Sequence, residues 1–164
     1  MQVKNISSIS LLFILLFLGT IVSAQKNQTD DLGRKQGEWV KFKNGVKFYK
    51  GQFKDNYPVG EFLRYYPSGR LKMKSIYSGM GKLRFTEFFQ DERKTTLKAK
   101  GMYLEKRKDS LWMFYNEEGV LIGEEYYAND TAHGTWKLYD YLGHIVKETV
   151  YNKGKIHGIQ KIKN

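Results

Sequence analysis

The residues that could do chemistry in this 164-residue chain are three histidines, two pairs of adjacent glutamates, one serine and a series of lysines. His133 and His157 lie 24 residues apart, and each precedes a glycine. They are one repeat column met twice, which predicts loop residues rather than metal ligands; His144, after Gly143, reads as a turn residue. A zinc site needs three or four such groups converging on one point. Glu117-Glu118 and Glu124-Glu125 are sequence neighbours. On a strand, neighbours point to opposite faces, which makes a poor acid–base pair. Ser110 is predicted in a turn, with no histidine in its own stretch to accept its proton. No glycine-rich phosphate loop leads into a helix. The absence of cysteine excludes disulfides, thiolate metal sites and a lipid-modified N-terminal cysteine. No catalytic, cofactor-binding or metal-binding residue is therefore assigned, and the chain is read as a protein that is not an enzyme.

The lysines are more orderly. Lys50, Lys74 and Lys100 begin a column that continues as Glu124 and Glu148. Two residues earlier runs a second column: Phe48, Lys72, Lys98, Ile122, Val146. By strand alternation both columns share one face, and equivalent strands of a meander lie about 10 Å apart. Lys50, Lys72, Lys74, Lys98 and Lys100 are thus the candidate anion- or partner-binding residues. The same pattern would serve as a solvated face that keeps a repetitive sheet soluble.

What must position these columns is a repeat of about 24 residues. Trp136, Tyr139, Gly143, Tyr151 and Gly158 recur 24 residues earlier as Trp112, Tyr115, Gly119, Tyr127 and Gly134. Phe62, Tyr65, Gly69 and Tyr77 form another copy, and Trp39, Phe42, Gly45, Phe53 and Gly60 the first. The middle copy is degraded. Phe85 and Phe88 take its strand positions, Tyr103 closes it, and extra residues fall near Arg93–Thr96. Each unit reads as a β-hairpin. A short aromatic strand meets a four-residue turn such as YPSG (66–69), NEEG (116–119) or DYLG (140–143), and a strand of period 2 returns. Gly60, Gly134 and Gly158 are read as marking the return turn to the next unit. Leu71, Met73, Ser75 and Tyr77 lie on the predicted core face. Small residues at Gly51, Ser75 and Gly101 leave room there for neighbouring rings to lie flat. The expected fold is all-β: an elongated, curled antiparallel meander of about five hairpins and ten short strands. A lone trailing segment follows near Gln160.

The units G-x-W-x-x-Y-x-x-x-G, followed by an aromatic and a further glycine, resemble bacterial MORN-repeat variants over about residues 33–160. That group includes exported 24-residue repeat proteins and antitoxin-like relatives. The resemblance implies an elongated sheet of β-hairpins used for contact with proteins or membranes, and it brings no catalytic residues.

Residues 2–24 read as a secretory signal peptide: Lys4, the apolar run Leu11 to Leu18, and Val22-Ser23-Ala24 before cleavage after Ala24. The expected organisation is a signal peptide at 1–24, a linker at 25–36, the repeat array at 37–160 and a tail at 161–164, with no membrane span left after cleavage. Export to the periplasm or beyond makes nucleic acid an unlikely partner, although a basic surface would suit it. Residues 25–108 hold 21 Lys and Arg against 9 Asp and Glu, whereas residues 109–164 hold 6 against 8. The basic excess belongs to the first part alone. Together these features predict an exported, non-enzymatic repeat scaffold or binding module that contacts a protein or an anionic envelope surface. The alternative is an antitoxin-like or immunity protein that neutralises one protein partner.

Overall fold

The computed structural model describes residues 26–92 and 95–162. The signal-peptide segment and its cleavage point lie outside the described residues, as do Arg93 and Lys94 of the middle insertion. The described residues form twelve strands: β1 (Gln28–Thr29), β2 (Lys35–Lys43), β3 (Val46–Lys54), β4 (Tyr57–Tyr65), β5 (Leu71–Ser78) and β6 (Leu83–Phe89), then β7 (Leu97–Leu104), β8 (Arg107–Tyr115), β9 (Leu121–Ala128), β10 (Thr131–Tyr139), β11 (Ile145–Asn152) and β12 (Lys155–Lys161). They form one antiparallel sheet in strict chain order, open at both ends and at most mildly curled. Strands β2 to β11 are the five expected hairpins. The stretch read as a linker carries β1 and the start of β2, and β12 spans the trailing segment.

The four-residue turns form as their composition dictates. Gly69, Gly119 and Gly143 donate to the carbonyls of Tyr66, Asn116 and Asp140 at 2.9, 3.1 and 3.1 Å. Each has φ near +85°, which only glycine adopts without steric cost. The return turns differ from the expectation. Gly60 and Gly134 stand inside strands β4 and β10, not in turns. In every unit but the second, the return turn is a two-residue connection with both residues left-handed: Asp55-Asn56, Glu105-Lys106, Asn129-Asp130 and Lys153-Gly154. That geometry matches the natural strand twist. Gly60 and Gly134 keep positive φ, 61° and 66°, because the strand bulges there, and Ser110 occupies the equivalent place at 60°.

The single layer has its core on one face. Met73, Ala99 and Trp112 are its buried apolar residues. Phe62 pairs across from Gly51, and Trp112 across from Gly101. A Cβ on either glycine would collide with the facing ring. Trp112 also meets Tyr103 edge-on at 4.9 Å and donates Nε1–H to the Met102 carbonyl at 3.1 Å. In the middle copy the register corrects the expected phase. Thr86, not Phe85, stands opposite both Ser75 and Gly101. Phe85 is 44% exposed on the other face, while Phe88 stacks towards Trp112 at 6.3 Å. Ser75 and Thr86 are fully buried and share a 2.9 Å hydroxyl–hydroxyl bond in place of a ring over a small residue.

Candidate functional site

The face opposite the aromatic core carries a row of cross-strand neighbours: Lys50, Leu63, Lys74, Glu87, Lys100, Met113, Glu124, Lys137, Glu148. Directly paired residues on one face have Cβ atoms about 5 Å apart. Lys50, Lys74 and Lys100 therefore lie along one line, and the first two are ion-paired. Lys50 binds Glu38 at 2.8 Å, and Lys74 binds Glu61 at 3.2 Å. Glu87 stands between Lys74 and Lys100. The Lys50 hydrogen bond holds the Glu38 carboxyl below the usual carboxylate range and raises Lys50 in return. Farther along, Lys137 is flanked by Glu124 and Glu148. Burial, with Glu124 beside it, pushes the Tyr139 hydroxyl up to about 12.

Lys72 and Lys98 have a different setting. Every hairpin carries a one-residue bulge beside its second aromatic, and Phe48, Lys72, Lys98, Ile122 and Val146 are the extra residues. A bulge re-aims its side chain. Both lysines are exposed, and Lys72 places Nζ 5.2 Å from the Tyr66 ring centre, towards the hairpin turns. There it joins a groove of about 530 Å³ between the first two units. Lys43, Lys47, Arg64 and Lys72 line the groove around Phe48, Tyr65 and Tyr66. Lys47 lies 5.2 Å from the Tyr65 ring centre, and Arg64 lies 5.2 Å from that of Phe48. Every charged residue of the lining is a cation, and none of the four forms an ion pair among the described residues.

Of the five lysines expected from sequence, the structure sets Lys50, Lys74 and Lys100 in the row and Lys72 in the groove. Lys98 lies exposed at the next bulge. Lys43, Lys47 and Arg64 were missed because they come from three different strands, β2, β3 and β4, at positions outside the lysine columns. The available signal was the basic density of KFKNGVK (41–47) beside an aromatic pair.

His133 and His157 lie in strands β10 and β12 rather than in loops. Among the described residues no group of three or more His, Cys, Asp or Glu is placed to hold a metal ion. No helix among them is long and apolar enough to cross a membrane. No protein-family model matches the chain, and no curated protein matches it significantly.

Proposed function

We propose that the chain is an exported, non-enzymatic binding module that contacts an anionic surface, of the cell envelope or of an acidic protein, through its basic groove. The observation that supports this is the gathering of Lys43, Lys47, Arg64 and Lys72 in one groove, the last three over aromatic rings, without a carboxylate in the lining. Cations already paired within the sheet have less to offer a ligand, because a new partner must first displace Glu38 or Glu61. Unpaired ones attract a negative surface by about 1 kcal/mol each, an attraction that salt screens. Export rests on the N-terminal signal pattern.

Co-sedimentation with vesicles of anionic and of neutral lipid, and retention on immobilised acidic polysaccharide and acidic protein, test this reading. The expected result is salt-sensitive retention on anionic material, lost in Lys47→Glu/Lys72→Glu and reduced less in Lys50→Glu. Equal retention of the wild type and the groove variant would make these lysines a solubility device.

A further inference from the structure

The core face has a site of another kind between the second and third units. In four units the return turn donates back to the start of its own hairpin: Asn56 to Lys35, Glu105 to Lys82 just before β6, Asp130 to Lys108 and Gly154 to Ala132. The second unit lacks this closure among the described residues. Its chain swings through Gly79, Met80 and Gly81, all with positive φ, instead of a two-residue turn. Beside this swing a cavity of about 630 Å³ opens, a size typical of small-molecule sites.

Arg84 stands in that cavity on the core face, paired across to Tyr77 on one side and Tyr103 on the other. Its guanidinium carbon lies 4.0 Å from the Tyr103 ring centre and 5.7 Å from that of Tyr77. Nη1 donates to the Tyr77 hydroxyl at 3.2 Å. Nε is buried and has no hydrogen-bond partner. A buried donor without an acceptor is costly, and no carboxylate pairs with Arg84 among the described residues. Lys82 and Lys106 add positive charge to the lining, and the lone acid there, Glu105, already faces Lys82 at 3.8 Å. The site thus holds a guanidinium without a carboxylate partner and is walled by rings and by Pro58.

We propose that this cavity binds a carboxylate carried on a sugar-sized ring, a hexuronate unit, with Arg84 as the carboxylate anchor. A guanidinium presents a planar fork of donors that suits a carboxylate better than a point charge does. Tyr57, Tyr77 and Tyr103 line the same cavity, so a ring carrying the carboxylate would meet aromatic side chains beside the guanidinium. Burial raises the Tyr103 hydroxyl above its ordinary range, so it stays a neutral donor at physiological pH.

The test is titration of the purified protein with glucuronate, glucose and inorganic phosphate to about 10 mM, where even a millimolar site fills. It is followed by the Arg84 Nε–H resonance and by calorimetry. Saturable binding of glucuronate alone, weakened about tenfold or more in both Arg84→Met and Arg84→Gln, supports the site. Thermal unfolding controls for the fold of both variants. Equal response to phosphate would leave only a generic anion site, and equal response to glucose would remove the role of Arg84 charge. No response to any of the three would overturn the proposal. Lys47→Glu/Lys72→Glu should keep full glucuronate binding, which separates this site from the groove.

Discussion

The third and fourth units put different chemistry at the same point of the sheet. In the fourth, Trp112 lies 2% exposed over Gly101, which has no side chain to obstruct it. In the third, Thr86 meets Ser75 through two buried hydroxyls. One column is filled by a ring over a vacancy, the other by a small polar pair that satisfies itself. The comparison shows that the repeat accepts either a ring over a glycine or a self-satisfied polar pair at this point rather than one residue type. It also shows that each solution requires its partner: a ring needs a glycine-sized neighbour, and a hydroxyl needs another hydroxyl.

The largest expected effect breaks the fourth unit. Trp112→Ala removes the most buried large side chain and its bond to Met102, and should cost about 3–5 kcal/mol in urea unfolding. Gly101→Ala leaves the tryptophan but forces a Cβ into it, and overpacking of this kind costs about 1–3 kcal/mol. If Gly101→Ala proved neutral, the ring would not be held against the glycine backbone as described.

In the third unit the expected effect depends on which partner remains. Thr86→Val strands the Ser75 hydroxyl in the core and should cost about 1–3 kcal/mol. Adding Ser75→Ala removes the stranded group, so the double variant should recover much of that loss. A double-mutant cycle by chemical unfolding measures the coupling. Strict additivity of the two changes would show that the hydroxyls do not depend on each other.

The same contrast explains what could be read from the chain before folding. Trp112, Trp136, Gly119 and Gly143 recur at fixed spacing, and spacing alone sets hairpin length and turn position. The third unit misled because Phe85 and Phe88 reproduce the aromatic interval. The better guide was on the neighbouring strands, where Ser75 and Gly101 both face Thr86. The return turns were hidden for another reason. Left-handed pairs normally announce themselves through glycine or asparagine, yet Glu105-Lys106 adopts φ of 48° and 73°. The groove was only partly legible, since strict alternation places Lys72 beside Lys74, whereas the bulge turns it towards Tyr66.

A smaller effect should sharpen the fourth unit. Ser110 holds φ of 60° where Gly37, Gly60 and Gly134 hold 67°, 61° and 66°. A residue with a Cβ costs about 1–2 kcal/mol in this region, and glycine removes the clash while adding unfolded-state entropy. The exposed Ser110–Asp109 bond offsets little. Ser110→Gly should therefore raise stability by up to about 1 kcal/mol, measured by thermal unfolding. A loss would mean that the serine hydroxyl holds the bulge.

The smallest effect separates the two units by pH. Burial raises the hydroxyls of both Tyr103 and Tyr127 above the ordinary tyrosine range. The Arg84 charge opposes that rise at Tyr103, whereas the hydrogen bond from Tyr127 to Glu125 adds to it in the fourth unit. A raised acid pKa in the fold favours the folded state while the group stays neutral. Its contribution is complete below the unfolded value of about 10 and declines as pH rises through the folded one. Alkaline titration of tyrosinate absorbance, assigned with Tyr103→Phe and Tyr127→Phe, should show Tyr103 ionising first. In Arg84→Met the opposing charge is gone, so Tyr103 should move upward towards Tyr127. A Tyr103 titration that ignores Arg84 would mean that the guanidinium does not lie over its ring in solution.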